Sequence, residues 1–545
     1  LRFARNAIRG RHVGDGTWRG LQKRWKAQLT LQTSRDQIGM SSQAGTRGKG
    51  AHGLSDFERG LESDLPRGVR DGQSALVEAC WLESEEFNAP EWRYRNERGQ
   101  FAGILLGYRT VGGAVRGIGA LDNRHLLTVA GSRGGKGVSL LVPNLLCYDG
   151  SIVAIDPKGE LARVTARARR QKGQKVVILD PFGENGRYAS GCFNPLDEID
   201  PDGPNVKDDA SLVADALIIA NERDPHWTDS ARILVKALIL FALTLPKEER
   251  NLITVWRLLA LTHPKVVDIA KRAEMDGRNA LFLLLRGCKG VFDDAVAGAG
   301  ERFASMADRE LASVFSTALT QLEFLDSNAM ANVLRASDLK LSELKSSKAT
   351  LYLCLPATRM GTHSRWLRVI INLALVAFER EKRAPEIPAL MILDEFHVLG
   401  HMKSLETAAG LMAGFGVKLW VVLQDLTQIK RDYRDSWETF ISNAGVATFW
   451  ANQDQTTLEY ISQRLGQTSL RIQQPTGATP GARLSGASAV REELRVQRLL
   501  SGDEAARVFA REKGRLLVLA AGKRPAILKR AIYYEDKPFA GLWDS

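Results

Sequence analysis

The feature that most limits what this chain can fold into is a junction between two kinds of backbone. Residues His125 to Ala130 have strand character and run without a spacer into Gly131-Ser-Arg-Gly-Gly-Lys136-Gly137, after which Val138 to Leu146 has helical character. A strand that turns through glycines into a helix leaves the first helical N–H groups unpaired and aimed at the turn. Small residues let the N–H groups of the turn itself close around an anion. Gly131, Ser132, Arg133, Gly134, Gly135, Lys136, Gly137 and Val138 therefore form a candidate phosphate-binding loop in which Lys136 reaches the terminal phosphates. Two positions depart from the G-x-x-x-x-G-K-[ST] pattern: Ala130 replaces its first glycine, and Gly137 stands where a hydroxyl would hold Mg²⁺. The first costs little if Ala130 has ordinary backbone angles, and at the second one of the waters that Mg²⁺ retains can fill the place. Ser139 lies about 200° further round a helix and is a poor substitute.

A second half of the site is expected far downstream. Pro388 to Leu393 reads as a buried strand that ends in Asp394-Glu395. Apolar residues followed by two acids suit a carboxylate, Asp394, that holds Mg²⁺ through its water shell, and a second, Glu395, that polarises an attacking water. The strand Val417 to Leu423 ends in Gln424-Asp425, where an amide can sense the terminal phosphate of ATP. The strand Ser151 to Ile155 ends in Asp156-Pro-Lys158-Gly-Glu160, which adds Asp156 and Lys158 to the candidate nucleotide contacts. Ligands of open parallel sheets bind beyond the carboxyl ends of the strands, so these segments direct their chemistry to one edge.

The surrounding pattern fits an α/β chain. From about residue 100, short apolar runs alternate with longer amphipathic ones, while the stretch Pro204 to Arg335 is dominated by helical spacing. Within it, Asp229 to Leu245 is predicted as a helix capped by Asp229 or Ser230. Strand character returns at Ala349 to Leu355, and Gln473 to Ala489 reads as a mobile loop. These boundaries predict a basic arm and linker (1–72), the first part of an α/β nucleotide-binding domain (73–203), an inserted all-helical domain (204–340) and the second part of the nucleotide-binding domain (341–545).

Composition narrows the class further. A chain of 545 residues, 44% hydrophobic and 25% charged, is that of a folded globular protein with two or three domains, or one large domain with a substantial insertion, not of a disordered or fibrous one. Its five cysteines form no C-x-x-C pair, which signals neither a disulfide framework nor a zinc site and suits a reducing cytoplasm. The longest apolar stretch, Ile233 to Leu245, is broken by Lys236 and falls well short of the roughly 20 residues of a membrane-crossing helix. Residues 1–50 hold 11 Lys or Arg against two Asp, most of the net charge of +12. In that arm Trp18, Leu21, Trp25 and Leu29 recur at helical spacing, with Arg19, Lys23, Arg24 and Lys26 elsewhere. A peripheral helix on an anionic membrane would have this pattern, as would a DNA-binding arm or a solvated basic tail. His397 and His401 have the spacing of a metal pair, but Gly400 lies between them and a third ligand is lacking in the sequence. There is no G-x-S-x-G elbow or H-E-x-x-H helix to support a hydrolase of those kinds.

Several ordered blocks carry a family resemblance. They are Gly135-Lys136-Gly137 with Val142-Pro143-Asn144-Leu145, Asp156-Pro-Lys158-Gly-Glu160, Asp180-Pro181-Phe182 and Phe193-Asn-Pro-Leu196. Further on come Leu393-Asp-Glu-Phe396 with Leu399-Gly400, Gln424-Asp425-Leu426 with Gln428, and Tyr533-Tyr-Glu-Asp536. The chain resembles the TraG-type coupling proteins of type IV secretion and bacterial conjugation. That resemblance implies a RecA-like P-loop NTPase with an inserted helical domain, using ATP and Mg²⁺ and assembling as a homo-hexamer at the cytoplasmic face of the bacterial inner membrane. It implies delivery of single-stranded DNA in a relaxase complex, or of protein substrates, to type IV secretion channel proteins. The alternatives are a docking receptor with weak or no ATPase activity and a DNA-pumping ATPase of the segregation or repair kind. Family members usually carry an N-terminal membrane anchor, which is not seen in this chain as it begins at Leu1. Some relatives place a trans-acting arginine just before the sensor strand, where this chain reads Met412-Ala-Gly-Phe-Gly416.

Overall fold

The computed structural model describes residues 79–219, 225–475 and 490–545. The basic arm and linker expected over 1–72 lie outside these residues, as do 476–489 of the expected loop.

Thirteen strands are present among the described residues: β1 (Ile104–Val111), β2 (Ala114–Ala120), β3 (His125–Ala130), β4 (Ile152–Asp156), β5 (Lys175–Leu179), β6 (Ala349–Cys354), β7 (Ala389–Leu393), β8 (Val417–Leu423), β9 (Ala444–Trp450), β10 (Gln467–Pro475), β11 (Val490–Arg498), β12 (Arg515–Ala520) and β13 (Ala526–Lys529). Eleven of them form one sheet in the order β2-β1-β13-β12-β9-β3-β8-β7-β4-β6-β5, and β10 and β11 pair separately as an antiparallel ribbon. From β9 to β5 every neighbouring pair is parallel. Every residue of β3, β4, β6, β7, β8 and β9 is buried, which explains why these strands are mostly apolar along their whole length instead of alternating: helices cover a parallel sheet on both faces. The other four strands join antiparallel beyond β9, so the sheet is mostly parallel with an antiparallel wing.

Between β5 and β6 the chain is helical. Val206–Leu217, Pro225–Leu243, Leu252–Leu259, Pro264–Arg272, Gly277–Arg286, Ala295–Ala304 and Asp308–Leu322 follow one another, with Phe282 stacked on Phe303 and meeting Phe315 edge to face in their core. The fold is thus a mostly parallel α/β sheet with an all-helical insertion, as the sequence implies.

Two local expectations are corrected. The helix predicted from Asp229 begins at Pro225, whose fixed φ and missing N–H suit a first helical position, so Asp229 and Ser230 lie within the helix and do not cap it. Gln473 to Pro475, expected as loop, belong to β10, because backbone pairing with Val490 to Glu492 on β11 overrides their weak strand propensity.

One buried residue seats the helix that follows the phosphate loop. Asn144 donates to the carbonyl of Leu105 (2.9 Å) and accepts from its N–H (2.8 Å), so this side chain replaces a strand neighbour for β1. Pro143 cannot donate a backbone hydrogen bond, and the turn before it, Gly137–Leu141, is π-helical, with the N–H of Val142 reaching the carbonyl of Gly137.

Candidate active site

β8 lies between β3 and β7, so residues distant in sequence meet at the carboxyl ends of three adjacent strands. Lys136 follows β3, Asp394 and Glu395 follow β7, and Gln424 follows β8. The ammonium of Lys136 lies 2.6 Å from Glu395 Oε1 and 3.0 Å from Asp394 Oδ1. Gln424 donates its amide N–H to Glu395 Oε2 at 3.0 Å. A single carboxylate is thereby held between the phosphate-loop lysine and the sensor-strand glutamine.

The backbone at Glu395 takes a left-handed conformation, φ 54°, that a branched or bulky residue adopts only at a cost of about 1–3 kcal/mol. From this turn its carboxylate meets the Lys136 ammonium. Burial opposes ionisation of Glu395, but the charge and hydrogen bond of Lys136, with the hydrogen bond from Gln424, outweigh it and hold the carboxyl below its usual range. Lys136 is held protonated: burial works against its charge, and the two carboxylates more than compensate. Asp394 is pushed upward, chiefly by burial and also by the neighbouring charge of Glu395, against the pull of Lys136.

Gln424 is itself fixed. Its N–H donates to Gln428 Oε1 (3.0 Å), and Asp425 caps the helix Leu426–Tyr433 by accepting from the N–H of Gln428 (3.1 Å). Asn452, just past β9, donates to the carbonyl of Gln424 (3.3 Å).

The phosphate loop is a closed turn. The N–H of Gly134 donates to the carbonyl of Gly131 at 2.8 Å, Arg133 has φ 57° and Gly135 has φ 81°. Among the described residues the N–H groups of Ser132, Arg133 and Gly135 find no acceptor in the protein, which is the condition for an anion cradle. Glycine is required at 131, where a Cβ would sit 1.9 Å from the carbonyl oxygen of Ala451. No atom lies within 4 Å of where a Cβ of Gly137 would stand, so there is open space in place of the expected hydroxyl.

Among the described residues neither Asp156 nor Lys158 hydrogen-bonds to this group, although Asp156 ends β4, the strand beside β7, close enough for the charge of Asp394 to act on its carboxyl. Asp156 Oδ2 accepts from the N–H of Ala162, in the first turn of the helix Glu160–Gln171, at 2.8 Å, and burial pushes its carboxyl up to about 7. Lys158 is exposed. The two histidines turn to different partners: His397 Nδ1 lies 3.6 Å from Glu395 Oε2, and His401 Nε2 lies 3.5 Å from Glu406. Residues Met412–Phe415 form a short 3-10 turn ahead of β8, and Leu411 beside it is 57% exposed. Trp450, Ala451, Asn452 and Arg530, all absent from the sequence-derived site, pack against the loop or the sensor strand. Trp450 Nε1 donates to the carbonyl of Gly134 at 2.7 Å, and the guanidinium of Arg530 donates to the same oxygen. A tryptophan in a stretch with no assigned sequence role and an arginine beside Lys529 near the C-terminus carry no sequence signal that links them to residue 134.

The parallel sheet order, the strand-loop-helix around Lys136 and the acids at the end of β7 define the RecA-like P-loop NTPase fold. Residues 75–541 match the family described as "Type IV secretory system Conjugative DNA transfer". The chain belongs to that family. It is 26% identical over 472 residues to Protein VirD4 of Rhizobium radiobacter, an alignment covering 82% of this chain and 64% of that protein. It is 28% identical over 454 residues to the conjugal transfer protein TraG of Escherichia coli, covering 76% and 68% respectively. The chain therefore spans about two thirds of the length of these relatives. Among solved structures, the unbound bacterial conjugative coupling protein TrwB superposes with a TM-score of 0.58 at 15% identity, over 86% of this chain and 94% of that one. TrwB in complex with a non-hydrolysable ATP analogue gives 0.53 at 16% identity, over 82% and 95%. At such identities the structural match establishes the fold.

Proposed function

We propose that this protein is the ATP-hydrolysing coupling protein of a type IV secretion system, and that it drives a relaxase-bound single strand of DNA, or protein substrates, toward the secretion channel. The observation that carries the reading is the convergence of Lys136, Asp394, Glu395 and Gln424 at one sheet edge, beside unpaired loop N–H groups. The names of the relatives support it: VirD4, TraG and the coupling protein TrwB, which has been captured with a non-hydrolysable ATP analogue and with ADP and Mg²⁺.

The residues fit ATP and Mg²⁺. Loop amides without protein acceptors suit phosphate oxygens, the buried Asp394 carboxylate is a hard oxygen donor, and the open space at Gly137 accommodates a water in place of the hydroxyl. Mg²⁺, when bound, neutralises phosphate charge, with Asp394 holding it through water. Lys136 leaves its carboxylate partners to contact the phosphates. Glu395, kept ionised, accepts a hydrogen bond from the attacking water, whose oxygen bonds to the terminal phosphorus while the bond to the bridging oxygen of ADP breaks. Gln424, tied to Glu395, registers the loss of that phosphate and passes it to the helix Leu426–Tyr433 through Gln428.

To the same reading belong assembly as a homo-hexamer and location at the cytoplasmic face of the inner membrane, with the basic arm in peripheral contact with anionic lipid. So does the division into an arm (1–72), two parts of a motor domain (73–203 and 341–545) and a helical insertion (204–340). Among the described residues no helix is long and apolar enough to cross a membrane. The test is phosphate release from ATP with and without single-stranded DNA, beside binding of a fluorescent ATP analogue. The unmutated protein should bind the analogue and turn over ATP, faster with DNA, and Lys136→Ala should lose both binding and turnover. A protein that binds its protein substrates but neither binds nor hydrolyses ATP is a docking receptor, and the proposal fails.

A further inference from the structure

Behind the phosphate loop lies an arginine with no place in the catalytic group. Arg530 follows β13 near the C-terminus, and its guanidinium donates through one terminal nitrogen to the carbonyl of Gly134 and through the other to the carbonyl of Arg511. Its own N–H donates to the carbonyl of Gly514 at 2.8 Å. Its Nε is buried without a partner, and its Nη1 lies 3.5 Å from where a Cβ of Gly135 would be. The indole N–H of Trp450 donates to the same Gly134 carbonyl at 2.7 Å, and the guanidinium carbon lies 6.0 Å from the Trp450 ring centre.

The consequence follows from peptide geometry. In a trans peptide the carbonyl and the N–H point in opposite directions. Two donors that hold the Gly134 oxygen on the outer side of the loop therefore aim the N–H of Gly135 at its inner side, where phosphate oxygens would lie. That N–H has no acceptor among the described residues. With φ 81° at Gly135 the loop has little intrinsic preference for this orientation, since glycine visits many others. The cation behind the peptide also strengthens the dipole that faces the anion.

We propose that Arg530, with Trp450, is a positioning residue for nucleotide binding: it sets the Gly134–Gly135 peptide from behind and ties the phosphate loop to the C-terminal strands β12 and β13. The inference rests on the nucleotide reading of the loop. It makes nucleotide affinity depend on the segment 511–530, whereas catalysis of bound ATP depends on Glu395. The effect is on ground-state binding, so it appears in affinity and not in turnover at saturation.

The experiment measures ATP-analogue affinity and saturated turnover for the unmutated chain, Arg530→Ala, Arg530→Lys, Trp450→Phe and Lys136→Ala, with thermal melting of each in the absence of nucleotide. Arg530→Ala should bind about ten-fold more weakly, the scale of one charge-assisted hydrogen bond, with turnover at saturation within about two-fold of the parent. Arg530→Lys keeps the charge, but its tetrahedral head cannot serve both carbonyls from one plane, so it too should bind more weakly. Trp450→Phe should shift affinity in the same direction. The proposal is overturned by parental affinity in whichever arginine variant melts at the parental temperature, or by lost turnover with unchanged affinity. If the unmutated chain binds no nucleotide, the reading of the site and this inference fall together. If it binds and Lys136→Ala does not, while Arg530 variants match the parent, only this inference fails.

Discussion

Replacing Glu395 by glutamine separates binding from hydrolysis and uses the observed ion pair to set the size of the effect. Without nucleotide, Lys136 is engaged by both acids, and its contact with Glu395 is 2.6 Å between side chains that are 17% and 18% exposed. Phosphate must draw Lys136 out of that contact. A charge-assisted hydrogen bond in such a setting contributes about 1.5 kcal/mol, so removing the charge at 395 lowers the cost of releasing Lys136 and should tighten ATP binding by up to about ten-fold. Glutamine keeps the length of the side chain and can still meet Gln424, but it cannot polarise water as a carboxylate does. Turnover should fall by about 10²-fold or more. The assay is titration of a fluorescent ATP analogue beside phosphate release, both at saturating Mg²⁺. Turnover at the parental rate would refute the role given to Glu395. Loss of binding, as expected for Lys136→Ala, would refute the argument that the two residues compete in the empty site.

Two further outcomes are expected. Lys418 on β8 is 1% exposed, and burial brings its amine down from 10.5 to about 8, with Asp122 the nearby carboxylate that favours its charge and buried His125 at the same sheet end. Below pH 8 the lysine is charged in both states and the folded protein bears the full cost of burying it, roughly 3 kcal/mol. That cost fades as pH rises from about 8 to 10.5, where the unfolded chain binds the extra proton. Lys418→Met should therefore raise the urea midpoint at pH 7, with a gain that shrinks toward pH 10.5; a gain independent of pH would place the effect in packing instead. Deleting residues 1–50 should release the protein from anionic vesicles, since each Lys or Arg near such a surface contributes about 1 kcal/mol, while leaving basal ATPase activity intact. Vesicle binding that survives the deletion would show that the arm is not the anchor.

The sequence by itself determined the elements whose signal is local. β3 and β8 fall where their apolar runs place them, and the loop from Gly131 to Gly137 announces itself because a strand-to-helix turn around an anion needs small residues in consecutive positions. Asp394-Glu395 and Gln424 were legible for a related reason, as polar residues that follow buried, largely apolar strands. What the tertiary structure alone decided is which of these strand ends meet. Strand order places β8 between β3 and β7, and that order arises from helix packing and pairing across hundreds of residues, which leave no mark on local spacing. Asp156 reads in sequence as a nucleotide contact because it ends a strand, yet its carboxylate accepts from the N–H of Ala162 in the first turn of the next helix. Trp450 and Arg530, ordinary in their own neighbourhoods, reach the carbonyl of Gly134 because β9 pairs with β3 in parallel and the antiparallel wing is built onto β9 through β12. Residues more than 300 positions from the phosphate loop hold its backbone, since a buried carbonyl takes whatever donor the fold brings within reach.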